Sequence, residues 1–142
     1  MIFVFGSNEG GIHGAGAAKV AMMKHGAKWG EFFGPTGNAF AIPTKGVKVI
    51  HHRAQAADGQ YQGPIVGDTL SLERIAMYVA GFIDYAHRHP ELEFQVTRIG
   101  CGLAGLHDVD VAYLFTLAPN NCFFDEKWKD ILGDDARYWG TF

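Results

Sequence analysis

The chain has 142 residues, a formal charge of −3, 48% hydrophobic and 19% charged residues. That is the length and make-up of one folded domain spanning 1–142, with too much apolar content for a disordered chain. The charge balance leaves no broad basic field to hold nucleic-acid phosphates, and no apolar run approaches the ~20 residues of a membrane span. The composition stands out in glycine, 19 residues of 142, against an average share of about 7%.

In chain order, Met1 to Phe5 is a short apolar run of strand formers, stopped by Gly6. Its first residues carry neither a basic lead nor a small-residue cleavage site, which reads against a signal peptide. Cys101 and Cys122 are too few for a disulfide framework, so a reducing cytoplasm is expected, with no membrane partner. Next comes a glycine-dense stretch, Gly6 to Gly16, followed by helix formers from Ala17 to His25 and a capping Gly26. Residues 27–37 read as a loop. Two strand-like runs follow, Ala39–Ile42 and Val47–His51, separated by Pro43-Thr44-Lys45-Gly46. Residues 53–68 read as a long surface loop.

The clearest helix runs from Leu72 to His87. Leu72, Ile75, Ala76, Val79, Phe82, Ile83 and Ala86 recur on one stripe, Ser71 is the expected N-cap, and Pro90 forbids continuation. Phe94–Ile99 reads as a strand entering a second glycine-dense loop, Gly100-Cys101-Gly102-Leu103-Ala104-Gly105. Asp108 is expected to cap a helix over Val109–Phe115, and Asn121–Phe124 to be a last short strand. The tail from Asp125 to Phe142 shows no assignable element. Strands alternating with helices imply an α/β domain, a three-layer α/β/α arrangement around a mixed or largely parallel sheet.

Ligands of such sheets bind beyond the carboxyl ends of the strands, where both glycine loops fall. Without side chains, their backbone N–H groups can approach an anion, and a helix behind the first loop adds the positive end of its dipole. No G-x-x-x-x-G-K-[ST] P-loop is present, and neither loop fits a dinucleotide-binding βαβ unit.

The combination of Ser7-Asn8 at a strand end, Gly14-Ala15-Gly16-Ala17-Ala18, and Arg98-Ile99-Gly100-Cys101-Gly102-Leu103 resembles macro domains, the ADP-ribose-binding α/β/α modules. It is most similar to the branch holding terminal ADP-ribose glycohydrolases, over residues 2–124. The resemblance implies binding of ADP-ribose or a related nucleotide; separately, no cofactor is expected, and the histidine placements predict no metal site. Asn8 would lie near the distal ribose, Gly14–Ala17 near that ribose or the diphosphate, and Gly100–Gly105 around the diphosphate. Phe123 or Phe124 would stack on adenine. The catalytic aspartates of the hydrolytic branches fall here on Ala104 and Ala18, and the family's leading strand with its adenine-contacting aspartate is not among residues 1–142, so no adenine preference is expected from it.

The expected ligand-binding set is therefore Ser7, Asn8, Gly11, His13, Gly14, Ala15, Gly16, Ala17, Lys19, Gly100, Cys101, Gly102, Leu103, Ala104, Gly105 and Phe124. Three functions remain open. One is a binding module. Another is an enzyme removing ADP-ribose from protein or nucleic acid, or phosphate from its terminal ribose, with His13 as acid–base and Asn8 beside it. The third is a non-catalytic assembly relative of the fold. His13 reads equally as a loop histidine bonded to backbone. Cys101 reads as small-residue packing and Arg98 as a structural ion-pair partner. Trp29, Phe32 and Phe33 read as a crevice wall or as core. His51-His52-Arg53 is not a metal site, since neighbours on a strand point to opposite faces.

Overall fold

The computed structural model describes residues 1–48 and 64–142. It is an α/β structure on one mixed seven-stranded sheet. In chain order the strands are β1 (Ile2–Asn8), β2 (Gly34–Thr36), β3 (Ala39–Lys48), β4 (Ile65–Thr69), β5 (Phe94–Val96), β6 (Cys122–Asp125) and β7 (Arg137–Gly140). The helices are α1 (Gly16–Lys24), α2 (Leu72–Arg88), α3 (Asp108–Ala112) and α4 (Lys129–Leu132). The sheet runs β2-β3-β1-β5-β6-β7, with β4 also on β3. β3, β1, β5, β6 and β7 are mutually parallel, while β2 and β4 pair antiparallel with β3.

Alternation along the central strands divides the core between two faces. Val4, Phe40, Ile42, Phe94 and Val96 point to the side where α2 lays Ile75, Val79, Phe82 and Ala86. Phe3, Phe5, Ala39 and Ala41 point to the other, against Ala18 and Ala21 of α1. The small alanines on α1 let it lie close over two phenylalanine rings. Buried on both sides, β1 is therefore apolar from Ile2 to Phe5 rather than alternating with polar residues.

α1 begins at Gly16 and ends as expected, with Gly26 at φ +76° and the Ala27 amide returning to the Ala21 carbonyl. α2 starts at Ser71, whose Oγ accepts from the Arg74 amide. Five expectations need correction. Gly34–Thr36 is a strand, not loop. Pro43 to Gly46 does not interrupt β3, which runs unbroken through ten residues. The reason lies in its outer edge: β2 leaves β3 at Ala41 and β4 joins at Lys45, so Pro43 deprives no ladder there of an N–H. Residues 65–68, expected in a loop, belong to β4; His51, His52 and Arg53 lie outside the described residues.

The strand at Phe94 stops at Val96, because the Ile99 amide turns back to the Thr97 carbonyl. Asp108 is not an N-cap. His107 precedes α3, no side chain caps it, and the helix gives way to a 3₁₀ turn over Tyr113–Phe115. The tail contributes a 3₁₀ turn (Glu126–Trp128), α4 and β7. Among the described residues no helix is long and apolar enough to cross a membrane.

Candidate functional site

Beyond the carboxyl ends of β1, β3, β5 and β6 lies a cavity of about 480 Å³, within the range of nucleotide-sized ligand pockets. Both glycine loops border it. From the first come Gly14, Ala15, Gly16 and Ala17, with Ala18 behind them; from the second, Gly100, Cys101, Gly102, Leu103 and Ala104. Ser7 and Asn8 line it from the end of β1. The loops also meet: a Cβ built on Gly16 would stand 3.0 Å from the Leu103 side chain.

The first loop takes its shape from side chains turned inward. Asn8 spends both ends of its amide on one residue, donating to the Ile12 carbonyl (2.8 Å) and accepting from the Ile12 amide (2.9 Å). Gly11, at φ +65°, lies so close to Gly30 that a Cβ there would fall 2.4 Å from backbone. No other residue fits there. Glu9, which follows Asn8, is anchored to α2. Arg74 donates to its carboxylate at 2.8 Å and 2.6 Å, and the Tyr78 hydroxyl at 2.6 Å. Burial pushes the Glu9 acid upward, but the bonds from Tyr78 and Arg74 outweigh it and hold the group below its ordinary range.

The second loop is shaped by backbone and by an ion pair across its base. Leu106 donates to the Gly100 carbonyl (2.8 Å) and Gly105 to that of Gly102 (3.0 Å). Gly100 and Gly105 take φ of +74° and +72°. Arg98 grips Asp108 with two bonds, 2.7 Å and 2.6 Å, and Trp128 Nε1 adds a third at 2.7 Å. The Arg98 bonds, reinforced by Trp128, hold the Asp108 carboxyl well below the usual carboxylate range despite partial burial. Burial, then the neighbouring Asp108 carboxylate, pushes the Cys101 thiol up to about 12, which disfavours the thiolate at neutral pH.

The lining is mostly apolar, and it includes backbone N–H groups left without a partner. The amides of Gly16, Ala17 and Ala18 open α1 with no side-chain cap, and those of Gly102, Leu103 and Ala104 have no acceptor among the described residues. Orphan donors of this kind are an anion-binding arrangement. α1 has no acidic residue in its first turn to compete for its positive end.

Five expected residues lie elsewhere. His13 is fully buried behind the loop, edge-on to Phe5 and Trp29, with Nε2 at 3.1 Å from the Glu31 carbonyl and Nδ1 without a partner. The loop turns that ring into an aromatic nest rather than toward the cavity. Gly11 is committed to Gly30, and Lys19 is exposed on α1 away from the lining. Gly105 closes the turn outside the lining, and Phe124 packs in the core against Phe115 and Trp128. Phe123 sits under the Arg137 guanidinium. Trp29, Phe32 and Phe33 are partly exposed and also outside the lining. Phe33 packs on Phe40 and Tyr78.

Several lining residues were not anticipated, Lys45, Asp125 and Phe142 among them. Lys45 has no ion-pair partner among the described residues and is the cavity's uncommitted cation. Asp125, 1% exposed, accepts from the Lys127 amide (2.9 Å) and the Thr141 hydroxyl (3.2 Å). Phe142 borders the cavity with its ring against Phe3 and Trp139. Only the bulge where Asn8 skips to Lys45 could have pointed to Lys45, and register is not visible in a sequence. No group of three or more potential metal ligands occurs among the described residues. Comparison of the chain with protein-family models, curated proteins and solved structures finds no match.

Proposed function

We propose that the cavity binds ADP-ribose or a related nucleotide diphosphate, in the manner its macro-domain-like three-layer α/β/α plan suggests. One observation carries this reading: two glycine loops, far apart in sequence, border one nucleotide-sized cavity, and each carries backbone amides with no acceptor among the described residues. A diphosphate offers the acceptors such amides need, and backbone donors bind it without the entropic cost of ordering long side chains. Lys45 adds compensating charge, and Phe142 supplies the aromatic surface expected of Phe124.

A binding module fits this arrangement better than an enzyme built on His13. An acid–base group must lie within hydrogen-bond reach of the reacting atoms, and the His13 ring lies outside the cavity lining. Calorimetric titration with ADP-ribose, ADP and AMP tests the reading. The expected order of affinity is ADP-ribose, then ADP, then AMP; absence of heat with all three overturns it. Turnover of ADP-ribosylated protein or of ADP-ribose 1″-phosphate, lost in His13→Ala while the protein stays folded, would restore the enzyme.

A further inference from the structure

Arg98 borders the cavity, yet its guanidinium is turned away into a bidentate pair with Asp108. These two residues bracket the second loop, and the pair closes its base. The Asp108 side chain caps no helix, so local helix formation does not explain it. Its third bond comes from Trp128, which is fully buried, so the loop is tied to the core on the α2 side of the sheet. Inside the bracket, the only backbone bonds are Cys101 to Arg98, Gly105 to Gly102 and Leu106 to Gly100 among the described residues. Those bonds fix the turns and Thr69 Oγ1 donates to the Ala104 carbonyl (2.7 Å), but the N–H groups of Gly102, Leu103 and Ala104 keep no acceptor among the described residues, between glycines of positive φ at 100 and 105.

Resting on the nucleotide reading above, we propose that Asp108, gripped by Arg98 and Trp128, is the positioning residue of the site. It sets the direction of the 102–104 amides so that they meet the second phosphate of a diphosphate. A planar guanidinium fork on a carboxylate fixes angle as well as distance, which a single hydrogen bond does not. Amides already aimed lose no freedom when the anion arrives, and this preorganisation is where the affinity gain arises. The clamp acts on the loop and does not touch the ligand.

The test is the ratio of ADP to AMP affinity, measured by calorimetry alongside thermal unfolding. A merely structural contact would weaken both nucleotides together; a positioning role weakens the diphosphate selectively. Asp108→Asn keeps the shape and removes the charge, and should lower ADP affinity about tenfold while AMP changes by less than about twofold. Arg98→Lys keeps the charge without the fork and should fall between wild type and Arg98→Ala. Trp128→Phe keeps the ring in the core and removes only the third bond, so it reads the same ratio should Asp108→Asn not fold. An unchanged ratio in the folded variants, or equal losses for ADP and AMP, overturns the proposal. Wild-type protein that binds neither nucleotide removes the nucleotide reading itself and the clamp's role with it.

Discussion

The two glycine loops reach the same cavity by different means. The first is folded from within: Asn8 brackets Ile12, His13 fills an aromatic nest, and Gly11 touches Gly30, so its side chains are spent on holding the turn. The second is held across its base by Arg98 on Asp108, by its own backbone bonds, and by Thr69 Oγ1 donating to the Ala104 carbonyl. A polar side chain in such a loop can therefore serve the shape or the ligand, and the two cases look identical in sequence. His13 and Asn8 serve the shape of their loop, and backbone amides in both loops are left without an acceptor among the described residues.

The contrast can be broken at several points. The largest effect is expected from Gly102→Glu. A side chain there meets open space and φ is not positive, so the fold should tolerate it while the carboxylate enters the anion site. Binding of ADP should fall beyond detection, at least about a hundredfold, by charge repulsion and bulk; retained binding would remove the second loop from the site. Asn8→Ala should cost about 2 kcal/mol in urea unfolding, since it orphans two backbone groups of Ile12 in a largely buried turn. A loss below ~0.5 kcal/mol would mean that the turn does not depend on Asn8.

Lys45→Gln should weaken ADP about three- to tenfold and flatten the dependence of affinity on salt, as loss of one uncommitted cation requires. Unchanged salt dependence would place Lys45 outside the site. The smallest effect concerns acid. The Asp108 carboxyl titrates lower in the folded chain than in the unfolded one, so its pair contributes stability above the ordinary carboxylate range, near pH 4. That contribution is lost as pH falls below this range, and Asp108→Asn should flatten this limb of the unfolding profile. An unaltered limb would show that the pair does not shift the titration.

Much of the scaffold is legible in the sequence because it rests on local rules. The buried run of β1, the stripe of α2 with its Ser71 cap, and Gly26 after α1 are patterns of period or capping that neighbours in the chain determine. The position of both loops at strand ends is legible for the same reason. What is not legible depends on distant partners. Pro43 reads as a strand breaker until the gap between β2 and β4 is known, and β4 itself exists through its pairing with β3. Asp108 reads as a cap because its sequence position suits one, whereas a guanidinium ten residues earlier claims it. Phe142, rather than Phe124, borders the cavity because β7 carries the chain past β6, from a tail without periodicity.

The most direct test is an amide-resolved NMR titration of the labelled protein with ADP. The account predicts that the backbone N–H signals of Gly16 to Ala18 and of Gly102 to Ala104 shift together along one saturation curve, with the His13 ring signals little changed. Shifts confined to one loop, or none in either at saturating ADP, would contradict it.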